Sequence, residues 1–275
     1  MATRKRRRRR RNNKYRLNYK RLFIFFIFCV LLVFGIIYGI SALLSHKKEY
    51  FEEGLKFYET KQYNEALEKF EAALSESQLL SERTDTNIKL YIADTYMKQG
   101  NYGEALTEYK EILENAHTNK KEVTSMMELA DALYCFEQGN YTAAIEGLEK
   151  KAEKWHELYM YIGTCYGELD NSDKMFENYE AYVKEFGFNS YIYAQYASYY
   201  ISIEDYETAI GYINNGLDSD AEYNAQLRLM EIAYYEEQND YNYAYELAEE
   251  LVELYPDYEE GQHEYIFLST RKTDD

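Results

Sequence analysis

Reactive residue types are sparse in this chain and badly spaced for catalysis. The four histidines, His46, His117, His156 and His263, stand far apart, with no partner at metal-site or triad spacing. No H-E-x-x-H, no G-x-S-x-G and no glycine-rich phosphate loop occurs. Asp170-Asn171-Ser172-Asp173 and Asp218-Ser219-Asp220 bring together oxygen ligands of the kind calcium takes. Both lack the loop glycine and the distant bidentate glutamate of such a site. Asp, Asn and Ser also cap helices, and turns between helices account for both clusters. No cofactor or metal is implied, and the residues point away from an enzyme.

Three cysteines remain. Cys29 lies in an apolar stretch; Cys135 and Cys165 fall on the first helices of adjacent repeat units and are open to either a disulfide or two free thiols. Asn140-Tyr141-Thr142 matches a glycosylation acceptor, but a turn explains the same asparagine.

Residues 22–44, LFIFFIFCVLLVFGIIYGISALL, contain no charge. As a helix rising about 1.5 Å per residue they would be long enough for a hydrocarbon core of about 30 Å. Every charged residue before Glu49 is basic, including the run from Arg4 to Arg11. Basic flanks stay cytoplasmic and meet anionic headgroups, so Arg16, Lys20 and Arg21 are the membrane-proximal contacts. The far flank has only His46, Lys47 and Lys48, which predicts an extracytoplasmic payload behind a signal anchor in a cell membrane. The apolar region of a cleaved signal peptide is only about 7–15 residues, so the longer stretch reads as a retained anchor. Gly39-Ile40-Ser41 is the cleavage cue of the alternative. The basic tail offers only Tyr15 for base stacking, which makes nucleic acid an unfavoured partner.

The chain carries −18 overall while its first 46 residues carry +12, so residues 47–275 carry −30. This acidity disfavours anionic ligands and favours basic ones. Tyrosine is abundant, at 33 residues, and Pro256 is the sole proline, so long helices meet few breakers.

One pattern recurs: KQYNEAL (61–67), QGNYGEAL (99–106), QGNYTAAI (138–145), IEDYETAI (203–210) and QNDYNYAY (238–245). Each places a tyrosine three residues before an alanine: Ala66, Ala105, Ala144, Ala209 and Ala244. A weaker copy, LDNSDKMF (169–176), has Met175 there. A period in the mid-thirties predicts stacked supersecondary units.

These residues resemble the tetratricopeptide repeat, a pair of antiparallel helices. The family's small residue followed by an aromatic appears as Gly54/Phe57, Ala93/Tyr96, Gly163/Tyr166 and Ala197/Tyr200. Its second-helix Ala-x-x-x-aromatic appears as Ala66/Phe70 and Ala105/Tyr109, and Pro256 supplies the late proline. No copy has the early tryptophan; Tyr50, Tyr159 and Tyr193 stand in for it. Copy three has Cys135 in place of an aromatic, and copy four lacks the second-helix alanine.

The resemblance implies an all-α helical-repeat solenoid over residues 47–258. It follows a basic disordered tail (1–21) and a transmembrane helix (22–44), and precedes a capping helix and tail (259–275). The helix pairs are expected near 47–80, 86–119, 125–155, 156–189, 190–223 and 225–258. Short insertions at 81–85 and 120–124 should lengthen connections, and Tyr265, Ile266 and Leu268 should cover the last repeat face. The first pair begins so close to Leu44 that the payload is expected to sit near the bilayer.

The resemblance also implies a concave groove that takes an extended peptide or a helix. Its groove positions fall on Leu90, Asp94, Leu129, Leu133, Phe136, Met160, Thr164, Ala194, Ser198 and Leu229. The Lys and Asn of the subclass that grips a terminal carboxylate are absent. Leu129, Leu133, Phe136 and Met160 therefore read as an apolar anchor, or else as packing between repeats. The function expected is a membrane-anchored scaffold that binds a protein segment with basic flanks. Self-association into a homo-oligomer, and a cytoplasm-facing receptor of inverted topology, are the alternatives. The composition, rich in Tyr, Lys, Asn and Ile, suits an AT-rich bacterial genome.

Overall fold

The computed structural model describes residues 19–115 and 119–272. Those residues form fourteen helices and no strand. They divide into two compact units, one ending at Met127 and one beginning at Glu128.

In the first unit α1 (Tyr19–Leu44) is followed by α2 (Lys47–Glu59), α3 (Tyr63–Ser75), α4 (Glu82–Gln99) and α5 (Tyr102–Asn115). Helix α2 packs on α3, α3 on α4 and α4 on α5. Helix α6 (Lys120–Glu137) begins in this unit and ends in the next. The second unit continues with α7 (Tyr141–Ala152), α8 (Leu158–Glu168), α9 (Ser172–Phe186), α10 (Ser190–Ser202) and α11 (Tyr206–Leu217). It ends with α12 (Asn224–Glu237), α13 (Tyr241–Leu254) and α14 (Glu259–Ser269). Helices α7 to α9 and α10 to α14 pack in sequence, Met175 and Tyr179 of α9 pack with Ile192 and Tyr196 of α10, and α10 also meets α12, the contact between first helices that repetition requires.

Each helix pair is joined by one and the same turn. A residue with left-handed backbone sits in all six: Lys61, Gly100, Gly139, Asp170, Glu204 and Asn239, with φ between 57° and 78°. The next N–H reaches back to a first-helix carbonyl in every copy, as from Gln62 to Phe57 (2.9 Å), Asn140 to Cys135 (2.8 Å) and Asp240 to Tyr235 (2.9 Å). This closes the C-terminus with the bond of a Schellman motif. The side chains of Asn140, Asn171, Asp205 and Asp240 then accept from the N–H three residues on and start the second helix. Asn171 thus serves as a helix cap. Asp220 accepts from the backbone N–H of Ser190 at 2.9 Å, which ties the loop after α11 to the start of α10.

The repeated small positions form the core. Ala66, Ala105, Ala144, Ala209 and Ala244 are fully buried, and Met175 occupies the equivalent place in the fourth pair. Two details differ from the sequence-based expectation. Residues 82–85 and 120–124 are the opening turns of α4 and α6, each 18 residues long, and not loop insertions. An apolar series at Val123, Met126, Met127 and Ala130 continues the helical face backwards with no breaker in between. At the far end α14 buries Leu268 against α13 and stacks Tyr265 on Tyr245, but Ile266 points outwards, 61% exposed.

The long apolar stretch stands apart from this core. Phe23–Ser41 within α1 is long and apolar enough to cross a membrane, and none of it is buried.

Candidate functional site

A ring cluster on α2–α4 lies beside a cavity of the first unit. Tyr91 lies against Phe51, Tyr58 and Phe70, with ring centroids 5.5–5.7 Å apart. The Phe51 and Tyr58 contacts are edge-on and the Phe70 contact is tilted, both favourable geometries for aromatic rings. The Tyr58 hydroxyl donates to the carboxylate of Asp94. Burial, and then that carboxylate, push the Tyr58 hydroxyl above its ordinary pKa, so it remains a donor at any physiological pH.

Beside this cluster is a cavity of about 440 Å³, lined by Leu90, Tyr91 and Asp94 of α4, Tyr109 of α5, Asn119, and Glu122, Val123 and Met126 of α6. Its volume lies within the range of about 300–1,000 Å³ common for binding sites. Val123 and Tyr109 are buried and form the floor. Asp94 and Glu122 supply carboxylates among otherwise apolar and aromatic walls. Such a cavity matches an aliphatic stem carrying a positive end, because the stem meets apolar walls and the charge meets carboxylates.

Of the groove positions expected from sequence, Leu90 and Asp94 line this cavity. Of the apolar anchor expected from sequence, only Leu133 is enclosed. Leu133 is buried, and Met160 packs against Met175, Tyr179, Ile192 and Tyr196. Phe136 is half-buried with its ring edge-on to Tyr141 and Tyr161. Leu129 is also half-buried. Thr164 faces inwards, where its hydroxyl bonds the carbonyl of Met160 (3.0 Å) and the hydroxyls of Tyr179 (3.1 Å) and Tyr191. Burial pushes the Tyr191 hydroxyl up to about 12. Ala194 is fully buried among Ala197, Ile213 and Leu227. Leu229 lies against the cluster around Ile232 and Leu251. Ser198 is exposed and lines a polar cleft of about 300 Å³ with Glu168, Asp170, Gln195 and Ser202.

Apolar helix positions pack when a neighbouring helix covers them, and that accounts for Leu133, Thr164 and Ala194. The groove positions expected from sequence do not include Glu122, Val123 and Met126: the first two fall in the expected insertion at 120–124, and Met126 falls in the opening turn of the expected third pair. The unbroken helical spacing of this segment was the available signal.

Lys20 is exposed; Arg16 and His117 lie outside the described residues, as does the side chain of Arg21. Cys29, Cys135 and Cys165 are free thiols. Among the described residues no group of three or more His, Cys, Asp or Glu is placed to hold a metal ion.

Comparison with known proteins agrees with this architecture. Residues 57–130 match a family model described as Tetratricopeptide repeat. No curated protein matches the chain. Among solved structures, PilF of Pseudomonas aeruginosa is similar at TM-score 0.55 and 16% identity, over 82% of this chain and 97% of that one. A tetratricopeptide repeat protein of Parabacteroides merdae is similar at TM-score 0.52 and 14% identity, over 82% of this chain and 99% of that one. A chain of the APC/C hetero-tetramer Cut9-Hcn1 is similar at TM-score 0.59 and 14% identity, over 81% of this chain but 42% of that one. The protein has the helical-repeat fold of tetratricopeptide-repeat proteins, with the repeat sequence itself matched over residues 57–130.

Proposed function

We propose that this protein is a membrane-anchored repeat scaffold that docks a protein partner, an extended peptide or helix with basic flanks. The cavity at Leu90 and Asp94 carries the reading: two expected groove positions meet there in an apolar recess with two carboxylates. The strongly negative payload supports a basic partner segment through charge complementarity. The similar chain of Cut9-Hcn1 was solved within a hetero-tetramer, so this fold serves hetero-oligomeric assembly elsewhere.

In this reading residues 22–44 span the membrane and the basic residues before them stay cytoplasmic. Lys20 and Arg21, with Arg16 before them, meet anionic headgroups. The repeat domain, 47–258, and its cap, 259–275, then lie outside the cytoplasm.

Photocrosslinking from position 90 in native membranes tests the docking role, with exposed Glu246 as control site. A discrete partner should be captured from position 90 alone, through a peptide bearing Lys or Arg. Met126→Glu should abolish the capture by placing a carboxylate on the apolar wall. Equal capture at both sites, or capture of the chain itself only, would replace docking with self-association.

A further inference from the structure

We infer that the loop between α3 and α4, residues 76–81, is a second membrane contact: Leu79 and Leu80 enter the lipid interface beside the end of α1. The inference rests on reading α1 as the membrane span. Ser41 lies three residues before the end of the apolar stretch at Leu44, and its hydroxyl accepts a hydrogen bond from the backbone N–H of Leu79 at 3.2 Å. The loop backbone is therefore level with the last turn of α1.

Further tethers hold it there. The N–H of His46 donates to the carboxylate of Glu76 at 3.3 Å. Lys47, almost completely buried, donates from Nζ to Asp85 at 2.6 Å, and the Ser81 hydroxyl donates to the other oxygen of Asp85 at 2.6 Å. Between these points Ser77-Gln78-Leu79-Leu80-Ser81 carries no charge. Leu80 is 72% exposed, more than any other large apolar side chain among the described residues, those of α1 included. Its backbone is left-handed at φ 59°, a conformation that non-glycine residues adopt only when their surroundings hold them in it.

An uncharged loop with two outward leucines, fixed against the end of a membrane span, is suited to the headgroup–acyl boundary, where apolar side chains bury and backbone polar groups stay hydrated. With two attachments, the first helix pair would be held in orientation to the bilayer, and not swing about the joint at Ser45–His46.

Tryptophan depth measurements on the full chain in lipid nanodiscs test this, with Trp155→Phe as background. Leu80→Trp should be quenched severalfold more strongly by lipids brominated on their acyl chains than Leu254→Trp, an exposed site on α13, and should resist acrylamide. Phe34→Trp, inside the apolar stretch, reports on the anchor itself. Strong bromolipid quenching at 34, with position 80 as open to acrylamide as position 254, overturns the loop contact and leaves the anchor standing. Shielding of position 80 from both reagents means a protein covers it, which also overturns the inference. No bromolipid quenching at 34 overturns the anchor and the loop contact together.

Discussion

Gly163 and Tyr179 face each other across α8 and α9 so closely that a Cβ on Gly163 would lie 2.6 Å from the Tyr179 ring. Gly54 and Phe70 repeat the relationship in the first helix pair, at 2.5 Å. Each glycine leaves a notch that the aromatic of the second helix fills, letting the two helices approach.

Gly163→Ala should therefore destabilise the protein. Tyr179 is fully buried and hydrogen-bonded to Thr164, so its ring cannot swing aside. Overpacking costs about 1–3 kcal/mol, against a helix-propensity gain of about 1 kcal/mol. At 2.6 Å from an immobile ring the upper part of that cost, about 2–3 kcal/mol, applies, so the expected net loss is about 1–2 kcal/mol, read as a lower urea midpoint. An unchanged midpoint would show that the helices part easily.

Gly211→Ala should have the opposite sign. Gly211 lies within α11, is exposed, and has nothing within 4 Å of where a Cβ would sit. Only helix propensity acts there, and a gain of about 0.5–1 kcal/mol is expected in the same urea titration.

The Lys47–Asp85 pair should respond unequally to loss of either partner. Lys47 is 2% exposed and Asp85 32%. Asp85→Ala strands a buried ammonium, at an expected cost of about 2–4 kcal/mol, the lower part of the usual range because Asp85 is partly solvated. Lys47→Met replaces the buried stem with an apolar one and should cost under about 1 kcal/mol. Equal losses in thermal unfolding would contradict this asymmetry.

Acid unfolding should report on the loop tie at Asp220. The Ser190 hydroxyl, and then the Ser190 N–H, hold the Asp220 carboxyl below its ordinary value of 3.8. A depressed folded pKa stabilises the fold above the unfolded value, and that contribution is lost as pH falls through the folded one. Asp220→Asn should flatten the decline in stability below about pH 4. An acid limb identical to that of the parent protein would remove Asp220 from the account.

Thiol labelling should separate Cys165 from any exposed cysteine. Burial pushes the Cys165 thiol up to about 12, and the side chain is fully enclosed. Iodoacetamide at neutral pH should leave Cys165 unmodified in the folded protein and modify it in urea. Rapid labelling without denaturant would show that the helices around it open readily.

Helical repetition was legible in the sequence because local rules write it. Tyr102, Tyr141, Tyr206 and Tyr241 each follow an Asn or Asp that closes the turn, and each precedes an alanine that must be small to lie between helices. The apolar, uncharged composition of 22–44 and the basic residues before it are equally local signals. The extra turns of α4 and α6 were less legible, because counting from the repeat length hid an apolar series that continues through Val123.

The sequence by itself determined the helical class, the repeated turn and the apolar length of α1, since each follows from residues a few positions apart. Only the tertiary structure decided that Leu133, Thr164 and Ala194 are packed inside while Leu90 and Asp94 line a cavity. Groove and core positions share the same helical spacing and the same apolar chemistry. What separates them is whether another helix, distant in sequence, covers them, and the loop at Leu79 meets Ser41 for the same long-range reason.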